Sequence, residues 1–424
     1  MSELNDLDQQ VMWHPFTQMA EWKPFVIARG EGNYLVDVDG QRYLDGVSSL
    51  WCNVHGHNHP ELNQAIRDQL ALIAHTTFLG LSHEPGIRLG AELLAVAPRG
   101  LSRIFYSDSG STAVEIALKQ SFQYWALRGR PTKQLFLRLG DAYHGDTLGA
   151  VGVGGIDLFH RVFGPLLVRS IAVPSPSGTD GSESLAILEH ELKTRADQIA
   201  ALIMEPLIQG AAGMLTHPTG FLAAAARLCR THGVHLIVDE VATGFGRTGT
   251  LFACEQEDVH PDFLCLAKGI SGGYLPLAAT LATEEIYEAF LGPRAELKQF
   301  FHGHTYTANP LACAVARASL KLLTRSTLAN ATAQIPNLRL ELDRLEEHPA
   351  VREVRQRGLM IGIELETKAG RFVGTEVCEA ARKHGVLLRP LGDVVVWMPP
   401  LSITSAEVQL LGSATAQALT DVLR

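Results

Sequence analysis

Two ionisable residues close apolar runs in the middle of this chain. Asp239 follows His235-Leu236-Ile237-Val238, and Lys268 follows Phe263-Leu264-Cys265-Leu266-Ala267. Short apolar runs bounded by turn residues predict buried strands. An Asp and a Lys at the carboxyl ends of two such strands face one crevice, where open α/β sheets bind ligands. Two chemistries suit the pair. One is a lysine Schiff base to a carbonyl cofactor, with the Asp partnering a ring nitrogen. The other is a satisfied buried ion pair. Three more stretches stand at strand ends. Asp108-Ser109-Gly110-Ser111-Thr112 opens a helix and suits a phosphate, although a plain N-cap by Ser109 or Ser111 explains the same residues. Tyr143-His144-Gly145 follows the next strand, and Glu205-Pro206 ends another. Each alone has an ordinary structural explanation; together, at successive strand ends, they outweigh it.

The elements that position them alternate. Between about 85 and 310, strands are predicted at 103–107, 134–139, 167–173, 200–205, 234–239, 262–267 and 277–282, with helices such as 112–127 and 220–231 between them. Such alternation predicts an α/β fold with a seven-stranded, mostly parallel, doubly wound sheet. Before it come an irregular aromatic arm (Trp13, Phe16, Trp22, Phe25) and a hairpin turning at Asp39-Gly40. Pro60 then opens a helix whose spacing gives an apolar face of Leu62, Ile66, Leu70 and Ile73. After Asn309 the pattern is helical to about Glu347, then mixed, with a capping box at Thr404 and Glu407. The expected division is 1–60 as arm and part of a smaller α+β domain, 61–310 as the large domain, and 311–424 as the rest of the smaller one.

Composition narrows the function classes. The 424 residues are 46% hydrophobic and 19% charged, with a net charge of -9 and no basic block. That balance argues against nucleic acid or an anionic membrane as partner. Six scattered cysteines without a C-x-x-C pair suggest reduced thiols, and the start lacks a signal-peptide pattern, so a cytoplasmic enzyme is expected. The His55-Gly56-His57-Asn58-His59 run lacks metal-ligand spacing, so a loop and no metal is expected. The acidic run 341–347 is expected to be a solvated helix face.

Val238-Asp239-Glu240-Val241-Ala242-Thr243-Gly244-Phe245-Gly246-Arg247-Thr248-Gly249, followed by Lys268-Gly269, resembles the signature of the class III pyridoxal 5'-phosphate (PLP) aminotransferases. The resemblance spans nearly the whole chain and implies a fold-type I transferase acting as a homodimer. Within the class, the stretches WHPFTQM, SSLWCNVHGHNHP, YHGDTLGA and RPLGDVVVWMPP resemble the branch that aminates 8-amino-7-oxononanoate in biotin synthesis. Another class III ω-aminotransferase, taking a diamine or ω-amino acid donor, is the alternative.

The resemblance assigns roles. Lys268 carries the Schiff base and the proton shift, Asp239 pairs with the ring nitrogen, and Tyr143 stacks on the ring. Gly110 and Ser111 hold the phosphate, with His304 and Thr305 reaching it from the other subunit. Phe16, Trp51, Tyr143 and Gly303 line the substrate pocket, and Arg389 takes the substrate carboxylate through its planar fork. Asp393 stands near Arg389 as either an ammonium contact or a solvated turn residue. Branch members using S-adenosylmethionine usually carry Trp-Trp at 50–51 and Tyr at 16. Leu50 and Phe16 remove a cation–π face and a hydroxyl. The donor is therefore S-adenosylmethionine or lysine, with these residues tilting toward lysine.

Overall fold

The protein is described by a computed structural model over residues 3–423. Its centre is a seven-stranded sheet in the order Leu101–Ser107, Ala278–Thr283, Phe263–Leu266, His235–Asp239, Ile199–Met204, Leu135–Leu139 and Ser170–Val173. Ala278–Thr283 is antiparallel to both of its neighbours, and the other pairings are parallel. The two antiparallel pairings cancel, so Leu101–Ser107 runs with the remaining five strands. Six strands thus end on one edge, and each predicted site stretch follows one of those ends. Apolar runs suit such a sheet because helices cover both faces. Ile199–Met204 and His235–Asp239 are buried along their whole length.

The seven strands match the expectation, with one shortened. The strand expected from 167 begins at Ser170, because Arg161–Leu166 coils into a 3-10 turn around Pro165. Gly110–Leu127 crosses the sheet, burying Ala113, Val114, Ile116, Ala117 and Leu118. The hairpin strands Tyr34–Asp37 and Arg42–Asp45 join Ile27–Glu31 on one side and the late strand Val386–Leu387 on the other. A third, antiparallel sheet holds Val351–Arg357, Met360–Leu365, Val394–Trp397 and Arg389–Leu391.

Two sequence expectations are corrected. On Pro60–Leu72 the apolar spacing does not mark the buried face. Leu62 is buried, but Leu70 is 56% and Ile73 41% exposed, while polar Gln69 is buried and donates to Ile73 O. In the acidic run, Glu341 is buried: it packs against Gly412, which has no side chain to exclude it, and accepts from Arg344. The helix Glu3–Val11 was not anticipated. No helix among the described residues is long and apolar enough to cross a membrane.

Candidate active site

The strand ends surround a cavity of about 460 Å³, within the range of small-molecule sites. Its floor is a buried polar cluster. Asp239 ends its strand level with Cys265 of the neighbouring one, so Lys268 emerges just beyond on the same edge. Asp239 Oδ2 accepts from His144 Nδ1 at 2.6 Å, and Oδ1 accepts from Val241 N at 3.0 Å. Both side chains of the pair are almost wholly buried. His144 Nε2 has no hydrogen-bond partner among the described residues. Beside them Glu205 Oε1 accepts from Gly210 N and Oε2 from Tyr143 N. Burial pushes the Glu205 carboxyl up to about 7; His144 opposes the shift and Asp239 adds to it.

Lys268 opens a short 3-10 turn with φ 46°, a conformation that favours glycine and tends to persist where function or packing demands it. Its Nζ makes no ion pair among the described residues and lies 4.7 Å above the Trp51 ring. Burial lowers its pKa, while Asp239 and Glu205 counter the effect. Of the two chemistries open at the outset, the closed ion pair is not what is seen: Asp239 is taken by His144, and the amine faces the cavity.

At the other end, Ser109 caps Gly110–Leu127 through a capping box with Thr112. The capping explanation is therefore correct for Ser109, and it leaves the first-turn N–H groups of Gly110 and Ser111 free to meet an anion. Two glycines allow the approach. A Cβ on Gly110 would stand 2.5 Å from Val241 Cγ1, and one on Gly145 (φ 118°) would collide with Ser111 Oγ. Ser111 Oγ accepts from Asp146 N, and Tyr143 OH donates to Asp146 at 2.8 Å.

Of the residues expected in the site, Lys268, Asp239, Tyr143, Gly110, Ser111 and Trp51 line this one cavity. The others stand outside its lining. Phe16 (φ 52°) packs edge-on against Phe159 at 5.3 Å, and Phe159 packs against Tyr143 at 6.3 Å. Arg389 is close enough to Tyr143 to oppose the burial-driven rise of the phenol pKa. His304 Nε2 lies 3.7 Å from Asp108 Oδ1 of its own chain, and Gly303 abuts Leu79. Thr305 follows, exposed, in the same loop. Asp393 accepts from Gly374 N. The His55-Gly56-His57 run is structural: His55 bridges Ser319 and Thr327, and His57 binds Asp45.

Sequence reasoning gave no role to His144 or Glu205, although both were in view. The signal for Glu205 is a carboxylate closing an uninterrupted apolar strand. His144 had no comparable signal, because its partner lies 95 residues away.

These residues fit PLP. The free buried amine, the hydrogen-bonded carboxylate opposite it and the helix end between two close-approach glycines supply the three polar anchors that an aldehyde, a pyridine nitrogen and a phosphate need. The aminotransferase class-III family model matches residues 17–419, and the chain belongs to that family of fold-type I transferases. Among its relatives, the adenosylmethionine-8-amino-7-oxononanoate aminotransferase of Nitratidesulfovibrio vulgaris is 50% identical over 97% of this chain and 80% of its own. The protein of that name from Aquifex aeolicus is 49% identical over 96% and 94%. The crystal structure of the Methanocaldococcus jannaschii counterpart superposes with a TM-score of 0.96 at 42% identity, covering 99% of both chains. A PLP-bound amine transaminase from an uncultivated Pseudomonas species gives 0.91 at 37%, covering 97% and 98%.

Proposed function

We propose that this protein is a PLP-dependent transaminase that moves an amino group onto 8-amino-7-oxononanoate, giving 7,8-diaminononanoate for biotin synthesis. The observation that carries it is the buried Lys268 amine, which makes no ion pair among the described residues and lines the same cavity as Asp239. Full-length relatives of that name support the acceptor. When bound, PLP supplies a carbonyl that takes up the amino group and a protonated ring that draws electrons from the substrate carbon.

The chain's own residues do the rest. Asp239, fixed by His144, holds the proton on the ring nitrogen. Lys268 Nζ, its basicity lowered by burial, takes the proton from the substrate carbon and returns it one position along, a task a positioned base performs with gains of about 10²–10⁴. Tyr143 covers the ring and excludes water. Gly110 and Ser111 N–H groups, with the helix dipole, hold the phosphate dianion. Arg389 takes the substrate carboxylate, and Phe16, Trp51 and Gly303 shape the pocket.

The donor is S-adenosylmethionine or lysine. The names of the relatives support the first; Leu50, 46% exposed at the cavity rim, and Phe16 support the second. The enzyme works in the cytoplasm as a homodimer divided at about 60 and 310, with His304 and Thr305 completing the partner's phosphate site. Exposed Trp13 (88%), Phe16 (61%), Leu72 (81%) and Phe301 (69%) support a covered surface. A monomer by light scattering with full activity would remove the dimer. Half-reaction spectroscopy tests the rest: each donor should convert the bound cofactor to its amine form, and the oxononanoate should restore the aldehyde. If that ketone fails to do so, the biotin assignment falls.

A further inference from the structure

Asp45 lies outside the cavity, and nothing in the reaction above uses it. It is 1% exposed, yet its carboxylate gathers several donors. Ser49 N–H reaches Oδ1 at 2.9 Å and Oδ2 at 2.7 Å, Ser49 Oγ lies at 3.4 Å, and His57 Nε2 at 2.8 Å. His57 Nδ1 in turn accepts from Asn53 Nδ2 at 3.2 Å, so the imidazole is oriented with its Nε2–H toward Asp45. Arg247 secures the same segment from behind, donating to Ser48 Oγ and Asn53 O.

What these bonds hold is a strained turn. Ser48, Ser49 and Trp51 have φ of 46°, 63° and 65°, and Ser49, with ψ -82°, is in the γ-turn conformation that residues with side chains rarely adopt. The turn delivers Trp51. Its indole packs with Ile208, Met214 and Met360, forms the wall under Lys268 Nζ, and stands where a Cβ on Gly210 would touch it at 3.4 Å. Trp51 Nε1 is buried in that wall without a partner among the described residues.

We infer that Asp45 is a positioning residue for amino-substrate recognition, acting through the Ser49 turn on the Trp51 indole. This rests on the transaminase reading. A carboxylate is needed because it accepts from Ser49 and His57 together. An amide offers one oxygen, and its NH2 would oppose one of the two donors. The turn then relaxes, the indole tilts, and the substrate loses an apolar wall, while the cofactor's own anchors stay in place.

The test compares Asp45→Asn, Trp51→Phe and the double variant as holoenzymes. In half-reactions with S-adenosylmethionine and with lysine, Asp45→Asn should raise the half-saturating donor concentration about tenfold, a change of about 1.4 kcal/mol. The maximal rate should stay within about twofold and the cofactor absorbance unchanged. The double variant should be no worse than Trp51→Phe, because coupled residues are non-additive. In the cofactor-free protein, the Trp51 emission, taken as the difference from Trp51→Phe, should shift to the red in Asp45→Asn. Should Asp45→Asn not fold, His57→Gln should show the same non-additivity with a smaller effect. Additive effects, or a loss of maximal rate with donor affinity intact, would overturn the inference. If no donor reacts with the unaltered protein, the transaminase reading fails instead, and an emission maximum unmoved by Asp45→Asn refutes the positioning role by itself.

Discussion

Replacing His144 with leucine probes the floor of the cavity. The imidazole donates from Nδ1 to Asp239 Oδ2 at 2.6 Å, with side-chain exposures of 0% and 4%, and Val241 N–H is the other donor to that carboxylate. Leucine has a similar volume, so packing is kept while the donor is lost. Leaving a buried carboxylate without its donor costs about 3 kcal/mol or more. His144→Leu should therefore lower the stability of the cofactor-free protein by about that amount at pH 8. His144→Gln, which keeps a neutral donor, should lose less than about 2 kcal/mol, in line with one ordinary hydrogen bond. Urea midpoints provide the measurement. Equal losses for leucine and glutamine, or a loss for leucine below about 1 kcal/mol, would refute the view that His144 serves the Asp239 carboxylate.

Other sites give further expectations. The Glu205 carboxyl, raised from 4.5 to about 7 by burial, favours folding below its unfolded pKa and loses that contribution as pH rises through 7. Glu205→Gln stays neutral and should flatten the stability curve between those values; an unchanged slope in urea titrations counts against the assignment. Gly110→Ala presses a Cβ against Val241, whose N–H holds Asp239. It should weaken PLP binding about tenfold by fluorescence titration, with little change in the cofactor-free melt, since the gain in helix propensity of about 1 kcal/mol offsets much of the overpacking. Lys133 donates to Ala196, Ile199 and Gly233 carbonyls beneath Trp125. Lys133→Met leaves those acceptors unpaired and should lower stability by about 3 kcal/mol or more, at an unchanged turnover rate, because the site is remote from the cavity.

Much of this was legible because it is written in local pattern. Apolar runs gave seven strands, and charged residues closing those runs gave Asp239 and Lys268. Turn chemistry gave Asp39-Gly40 and the Thr404 capping box, both found in place. What was illegible depends on distant pairings. Nothing near His144 announces Asp239, and nothing near Asp45 announces a strained turn over Lys268. Apolar spacing on Pro60–Leu72 was real, yet Leu62 is buried while Leu70 and Ile73 are exposed, because periodicity shows that a face is apolar and not what covers it. Glu341 looked solvated because Gly412, the residue that makes room for it, lies far along the chain.

The pairing of Leu44 with Val386 also sets a timetable. The early hairpin gains its fourth strand only after about 340 more residues have left the ribosome. At about 5–20 residues per second that delay is roughly 20–70 seconds. Throughout it, Arg42–Asp45 presents an open strand edge, the kind that recruits wrong partners. The central sheet, spanning residues 101–283, has all its strands well before then. Synthesis therefore favours a pre-built cavity floor that waits for its Trp51 wall, and the nascent chain is most exposed to misassembly at its beginning until its last strands arrive.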